Sequence, residues 1–152
     1  MRSFKFKLES IKKIRESEEK HALDEYAKAM QRRHSQELRI EKLEQDLRDA
    51  EGEIVARRKR TLCAGDLHAD RNATMAIRLQ LESTRKELEA ALQEEDASRD
   101  VFLEAKSNRE ILVRLEDKHK LDFEKEERRK EEIEIEDIVV SRHGRMNEGT
   151  LV

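Results

Sequence analysis

Apolar residues in the first half of the chain recur at alternating intervals of three and four positions, with charged residues between them. The regular run consists of Ile40, Leu43, Leu47, Ala50 and Ile54. This spacing puts every member on one side of an α-helix, as in the a and d positions of a coiled coil. A weaker stripe lies upstream, where Arg15 and Glu18 occupy apolar positions. Its apolar members are Phe4, Leu8, Ile11, Ala22, Tyr26 and Ala29.

The second half repeats the pattern over a longer stretch. Its stripe runs through Ile77, Leu81, Thr84, Leu88 and Ala91, then Glu95, Ser98, Phe102 and Ala105, and after a small shift Leu112, Leu115 and His119. The chain contains no proline, so neither helix is forced to break. The pattern predicts one helix over about residues 3–60 and a second over about residues 71–140.

Between the two stripes stands "TLCAGDLHAD", residues 61–70. Gly65 suits the left-handed conformation that ends a helix, and Asp66 suits the cap of the next one. Asp70 and Asn72 are alternative caps. The predicted fold is therefore all-α: an antiparallel two-helix coiled coil, or αα-hairpin, with its turn near residues 61–70. Position i then faces about 130 − i. Residues 1–152 form one elongated domain, with a C-terminal helical overhang beyond about residue 130 and a flexible tail over 141–152.

The predicted turn also holds Cys63, Asp66, His68 and Asp70, which raises the alternative of a metal or catalytic site. Zinc sites need ligands in recognised spacings, and no CxxC or HxxxH motif occurs here. A nucleophilic cysteine needs a base held in a cleft, which a hairpin tip does not offer. The sequence therefore favours a turn, and predicts no enzyme activity, metal or cofactor.

Composition supports slender helices over a layered core. Charged residues make up 45% of the chain and aromatic residues 3%, so few bulky groups are available to fill a core. A single cysteine is typical of a reducing compartment. The longest uncharged run, "NATMAI", is far shorter than the roughly 20 residues of a membrane span. These features predict a soluble intracellular protein.

The run Arg57, Arg58, Lys59 and Arg60 admits two interpretations. Cations favour the negative end of a helix dipole, which explains the run without a ligand. The alternative is a nucleic-acid contact, but the net charge is −3 and no aromatic residue lies nearby to stack on bases. Nucleic acid is therefore an unfavoured partner.

Two segments carry more apolar residues than one facing helix can cover. The first contains Met75, Ile77, Leu79 and Leu81, which form either a broad seam or a contact with a second protein. The other segment contains Ile133, Ile135, Ile138 and Val139, on the overhang where the first helix has run out. Its apolar residues either fray in water or are buried by a partner.

The opening "FKFKLESIKKIRE" and three later segments resemble the FliJ family of bacterial flagellar export proteins. The later segments are Leu103–Ala105, Arg109 to Lys118 and Glu134 to Asp137. Their order and spacing carry the resemblance, which covers nearly the whole chain. The segment "KEEIEIED" departs from the usual family ending, with Ile135 at a position where leucine is common.

The resemblance implies a non-enzymatic coiled coil, similar to the central stalk of rotary ATPases, at the flagellar base. It implies three partners, namely the hexameric export ATPase, the export-gate membrane protein and export chaperones, with no small-molecule substrate. The location would be cytoplasmic, peripheral to the inner membrane. The expected ATPase contacts are Phe4, Phe6, Leu8, Ile11, Ile133, Ile135, Ile138 and Val139, and the expected gate contacts are Met75, Ile77, Leu79 and Leu81. The alternatives are the equivalent stalk of a virulence-type secretion system and a coiled-coil scaffold with a nucleic-acid-binding basic patch.

Overall fold

Two long helices make up the computed structural model, which describes residues 3–60 and 63–148, with side chains through Arg145. Helix α1 spans Glu9–Arg58 and helix α2 spans Ala64–Glu148. No strand occurs in these described ranges. The helices pack antiparallel, because Arg33 of α1 pairs with Glu95 of α2 whereas the later Glu51 pairs with the earlier Arg78. The predicted all-α hairpin is confirmed.

The chain divides into two compact units. The hairpin unit, Glu18–Ala105, holds the connection between the helices, and the terminal unit holds the residues up to Ser17 and from Lys106 onward. In the hairpin unit Arg33 faces Glu95, and in the terminal unit Lys12 faces Glu116. Both partners lie about two residues earlier on α2 than the predicted pairing gives. Whether the chain behaves as one domain stays a prediction.

The core of the hairpin unit is a narrow seam of mostly small side chains. Its buried members are Ala22, Ala29, Ile54, Leu81, Thr84 and Ala91. All six belong to the stripes predicted from the spacing, and that prediction is confirmed for them. One bulky layer interrupts the small residues, where the rings of Tyr26 and Phe102 stack with centroids 6.1 Å apart and an interplanar angle of 12°.

The terminal unit packs the segment before α1 against α2. Phe6 is buried, and its ring lies 5.8 Å from that of His119, while the ring of Phe4 lies 5.7 Å from that of Phe123. Helix α1 starts just after these contacts, with the amide of Lys12 donating to the carbonyl of Leu8. The N-terminal aromatic residues therefore attach the chain to α2 before α1 begins.

The connection between the helices is shorter than predicted. Helix α1 ends at Arg58 and α2 begins at Ala64, so Gly65, Asp66 and Asp70 are helical rather than part of a turn. Thr61 and Leu62, inside the predicted turn, lie outside the described residues.

Gly65 has no positive φ, so its predicted left-handed role is wrong. The carbonyl of Cys63 instead accepts the amides of Asp66 and Leu67, which starts α2 through the backbone. Asp66 falls in the first turn, where a carboxylate is favoured by the helix dipole rather than needed as the cap.

At the other end, α2 continues to Glu148. The predicted flexible tail is wrong for residues 141–148, because no proline stops the helix and its acidic and basic residues are tolerated on a solvated surface. Residues 149–152 of that tail lie outside the described part of the chain. From Arg128 to Arg145 every side chain is exposed, which confirms the overhang. Neither helix, over its described length, is apolar enough to cross a bilayer.

Candidate protein-interaction surfaces

The polar residues near the connection do not form a reactive cluster. Asp70 is buried, and its Oδ1 accepts a hydrogen bond of 2.6 Å from a guanidinium nitrogen of Arg57. Cys63 is exposed. Across the described ranges, no group of three or more histidine, cysteine or acidic side chains is placed to hold a metal. The buried carboxylate of Asp70 therefore ties the end of α1 to the first turns of α2.

This ion pair also changes the interpretation of the basic run. Arg57 lies in the last turn of α1 with its charge directed to Asp70, and Arg58, Lys59 and Arg60 are exposed. One member of the run thus has a structural partner within the hairpin unit, and three cations remain open to solvent.

The segment from Met75 to Leu81 divides into two faces. Leu81 is buried and Ile77 is half-buried, so both belong to the seam between the helices. Met75 and Leu79 are 55% and 57% exposed. They lie four residues apart, one above the other on the outer surface of α2. The segment therefore contributes Ile77 and Leu81 to the seam and leaves Met75 and Leu79 on the outer surface of α2.

The N-terminal members of the expected ATPase contact lie mostly against α2. Phe6 is buried and Phe4 and Leu8 are half-buried, and only Ile11 is exposed. Burial against Phe123 and His119 leaves these aromatic side chains little surface for another protein. The sequence placed Phe4 and Leu8 on the first stripe as well as among the expected ATPase contacts, but it gave Phe6 no partner on α2.

The C-terminal members have the opposite environment. Ile133, Ile135, Ile138 and Val139 are each about half exposed or more, between 49% and 60%. Val140, which follows them, is 70% exposed. These five β-branched residues form the largest run of exposed apolar side chains in the terminal unit as described, and we call them the overhang cluster.

The overhang cluster occupies two opposite sides of α2. At 3.6 residues per turn, Ile135, Ile138 and Val139 fall on one side. Ile133 and Val140, seven residues apart, fall on the other. Glu131, Glu132, Glu134, Glu136 and Asp137 stand among them, and no basic residue occurs between Lys130 and Arg142. The exposed segment therefore combines apolar surface on two faces with a strongly acidic charge.

Two ion pairs lie within the helix interface itself. Lys12 Nζ is 2.6 Å from Glu116 Oε2, and the two side chains are 20% and 24% exposed. The hydrogen bond to Glu116 raises the pKa of Lys12 above its ordinary value of 10.5. In the hairpin unit, Arg33 Nε donates to Glu95 Oε2 at 2.5 Å, and Arg33 Nη1 donates to both oxygens of Glu37 at 2.8 Å. These hydrogen bonds, first those to Glu37 and then that to Glu95, raise the pKa of Arg33.

Sequence reasoning missed the role of Lys12 and Arg33. Glu95 was recognised as a polar interruption of the second stripe, but it was not matched with a cation on α1. A signal did exist, because the pairing of i with 130 − i brings Arg33 within two positions of Glu95. A search for an opposite charge facing the interruption at Glu95 would have identified the Arg33–Glu95 pair, whereas Lys12 and Glu116 lie beside the predicted stripes and carry no such signal.

Comparison with known protein families gives one match that covers nearly the whole chain. A family model described as flagellar FliJ protein matches residues 4–148, which include parts of both units and the overhang cluster. No curated protein and no solved structure matches the chain.

Proposed function

Because the chain belongs to the FliJ family of flagellar proteins, we propose that it is a stalk-like coiled coil that binds the hexameric flagellar export ATPase. In this role it promotes the assembly and activity of the ATPase ring. It also links that ring to the export-gate membrane protein and to export chaperones, at the cytoplasmic side of the inner membrane. Members of this family are non-catalytic components of flagellar export, and the proposal assigns the chain no reaction of its own.

The observation that carries the proposal is the overhang cluster. Its five β-branched side chains are 49–70% exposed on a helix that has no facing helix at that position. A patch of large apolar residues next to polar ones on a solvated helix is typical of a protein contact. Because the cluster covers two opposite faces, a partner has to surround α2 rather than touch one side. A ring of subunits satisfies that requirement.

A second contact is assigned to Met75 and Leu79, at the opposite end of α2. Both side chains face away from α1 and are more than half exposed. We assign them to the export gate, because both residues belong to the hairpin unit and are separate from the overhang cluster assigned to the ATPase. Ile77 and Leu81 support the contact only indirectly, by packing α2 onto α1.

The proposal is tested by measuring ATP hydrolysis and ring formation by the flagellar export ATPase of the same organism. The intact chain is compared with a chain truncated after Lys130. Truncation removes the overhang cluster but leaves every interface pair of the two units in place. We expect the intact chain to stimulate hydrolysis and ring formation, and the truncated chain to lose both effects while keeping its helical circular dichroism up to residue 130.

A point variant separates the apolar contact from simple shortening. Ile135→Glu with Val139→Glu places charge on one face of the overhang cluster, and Ser141→Glu serves as a control because Ser141 is exposed on the same segment. The double variant should reduce stimulation and the control should not. Unchanged stimulation by both the truncated chain and the double variant would contradict the docking of the overhang on the ATPase.

A further inference from the structure

The register of the hairpin unit follows from two layers of its interface. Tyr26 stacks on Phe102, and Arg33 pairs with Glu95, so a step of seven residues on α1 matches a step of seven on α2. Continuing by sevens places Ile40 opposite Leu88, Leu47 opposite Leu81 and Ile54 opposite Thr74. These facing pairs are the successive a-position layers of an antiparallel coiled coil.

The apolar layers near the connection do not define this register. If α2 slides by one heptad, Leu47 faces Thr74 and Ile40 faces Leu81. A slide in the other direction brings Leu47 to Leu88 and Ile54 to Leu81. In the first case Ile40 still meets a leucine, and Leu47 replaces Ile54 as the residue opposite Thr74. In the second case both pairs are aliphatic, and exchanges among aliphatic side chains cost little in packing.

The exposed ion pairs at the edge of the interface are equally permissive. On one edge, Glu44 pairs with Arg85 and Glu51 pairs with Arg78. Consider a slide of one heptad in which each α1 residue comes to face the α2 residue seven positions nearer the connection. Glu44 then faces Arg78 and Glu51 faces Arg71, so an acid again lies opposite a base. All four native side chains are 41–64% exposed, so these pairs are solvent-screened as well as interchangeable. They favour the antiparallel orientation without distinguishing one register from the next.

The Arg33–Glu95 layer differs from the exposed edge pairs because it is more buried and because a slide of one heptad brings no opposite charge to either residue across the interface. Its side chains are 26% and 17% exposed, less than those of the edge pairs. After the same slide Arg33 faces Leu88 and Glu95 faces Tyr26. Each charge then loses its partner across the interface in a partly dehydrated position, which is unfavourable. We infer that the Arg33–Glu95 layer contributes more to the register of the hairpin unit than the aliphatic layers or the exposed edge pairs do, and that it acts together with the Arg57–Asp70 pair and the Tyr26–Phe102 stack, which a slide also separates.

The terminal unit contains a layer of the same kind. Lys12 and Glu116 are 20% and 24% exposed, and a slide of one heptad towards the connection sets Lys12 opposite Arg109. Two cations then face each other across the interface. Each unit therefore has its own charged layer that opposes slippage, and a polar layer that selects one register at a cost in stability is a known device of coiled coils.

The test replaces Arg33 and Glu95 with apolar residues, so that the interface loses its charged layer and the helices can still fold. In a Cys63→Ser background, which lacks the exposed thiol, two pairs of cysteines report the register. Leu47→Cys with Leu81→Cys reports the native alignment, and Leu47→Cys with Thr74→Cys reports the slipped one. Dibromobimane, which becomes fluorescent when it bridges two neighbouring thiols, gives the yield for each pair.

Each reporter pair is measured in three versions of the full-length chain. The first is otherwise unchanged, the second carries Arg33→Leu with Glu95→Leu, and the third carries Glu44→Leu with Arg85→Leu as a matched control at the exposed edge. We expect the native pair to exceed the slipped pair by about tenfold or more in the first and third versions. In the Arg33→Leu, Glu95→Leu version the excess of the native pair over the slipped pair should fall several-fold, with helicity retained and the melting temperature equal or higher.

A bridge formed only by the native pair in the Arg33→Leu, Glu95→Leu version would overturn the inference, since register would then be set elsewhere. Loss of helical content in that version would also overturn it, because an apolar layer should stabilise the interface rather than unfold it. A comparable loss of register in the edge control would transfer the role to the exposed ion pairs. None of these outcomes depends on the export ATPase, so the inference stands or falls separately from the proposed function.

Discussion

Individual seam residues show how closely the helices of the hairpin unit pack. Ala29 has no exposed surface, and Thr84 is 1% exposed. The hydroxyl of Thr84 donates a 2.8 Å hydrogen bond to the carbonyl of Gln80 in its own helix, so this buried polar group has a partner. Small side chains at these positions leave no room for added volume.

Ala29→Leu should therefore destabilise the chain. Forcing extra methylene groups into a packed interface costs about 1–3 kcal/mol. Ala27→Leu is the matched control, because Ala27 is exposed two residues away, and its effect should stay within about 0.5 kcal/mol. Urea unfolding followed by circular dichroism measures both. Equal stability of the two variants would show that the seam at Ala29 has space to spare.

The pKa of Lys12 predicts how stability responds to alkaline pH. Its pKa is raised above 10.5 in the folded chain by the hydrogen bond to Glu116. A cation with a raised pKa stabilises the fold fully below its unfolded pKa, and this contribution is lost as pH rises through the folded pKa. Stability should therefore fall above about pH 10.5, in part because of Lys12.

Lys12→Arg isolates that contribution, because arginine keeps its charge at this pH. The variant should lose less stability than the parent between pH 10 and 12, as measured by thermal melting. Lys13→Arg is the control at a neighbouring exposed position and should follow the parent. If the melting temperature of Lys12→Arg falls with rising pH as steeply as that of the parent, then Lys12 does not contribute to the alkaline loss of stability.

At the scale of whole elements, the connection shows what decides where a helix begins. Ala64 starts α2 because the carbonyl of Cys63 receives the amides of the first turn, and the segment contains no proline. Gly65 then follows inside the helix, with open space where a β-carbon would stand. Its lack of a side chain is not required by the backbone conformation.

Gly65→Ala should accordingly stabilise the chain, by about 0.4–1 kcal/mol, because alanine loses less conformational freedom on entering a helix. Gly52→Ala is a useful companion, since Gly52 also lies within a helix and has open space at the β-carbon position. Denaturant midpoints measure both changes. A loss of stability in Gly65→Ala alone would restore the left-handed turn that the sequence predicted.

Predictability from sequence differs between the elements for physical reasons. The three–four spacing identified the seam residues, including Ile54, Leu81 and Ala91, because burial of one helical face imposes that period. The start of α2 was misplaced because the first hydrogen bonds of the helix go to the carbonyl of Cys63, and cysteine is not one of the residue types whose side chain marks a helix start. The stripe placed Phe4 on the seam, but the inward packing of Phe6 was missed, because Phe6 lies outside that stripe and its contact depends on which residues of α2 lie opposite.

At the scale of the whole molecule, the region matched by the family model includes exposed apolar residues that are candidates for contacts with other proteins. The match covers residues 4–148, and the exposed apolar side chains within it include Met75 and Leu79 near the start of α2 and the overhang cluster. Ile77 and Leu81 pack in the seam between the helices, and Phe6 packs on α2 from the segment before α1. Their expected contacts with partner proteins stay a prediction.

Met75→Glu with Leu79→Glu tests the surface near the start of α2. The double variant should fold normally, because both side chains are exposed, and it should bind the export-gate protein at least several-fold more weakly. Ala73→Glu with Ala76→Glu adds the same charge at other exposed positions of the segment and should bind as the parent does. Surface plasmon resonance against the purified gate domain measures the affinities, and equal binding by both variants would exclude this contact.

The stacked pair of Tyr26 and Phe102 gives the molecule a built-in optical signal. The chain has one tyrosine and no tryptophan, so its ultraviolet emission arises from a single ring inside the interface. Separation of the helices at this layer transfers that ring into water and changes its brightness and its accessibility to quenchers. Opening of the hairpin can therefore be followed in real time in the unlabelled chain, in the presence of any protein whose own emission is subtracted.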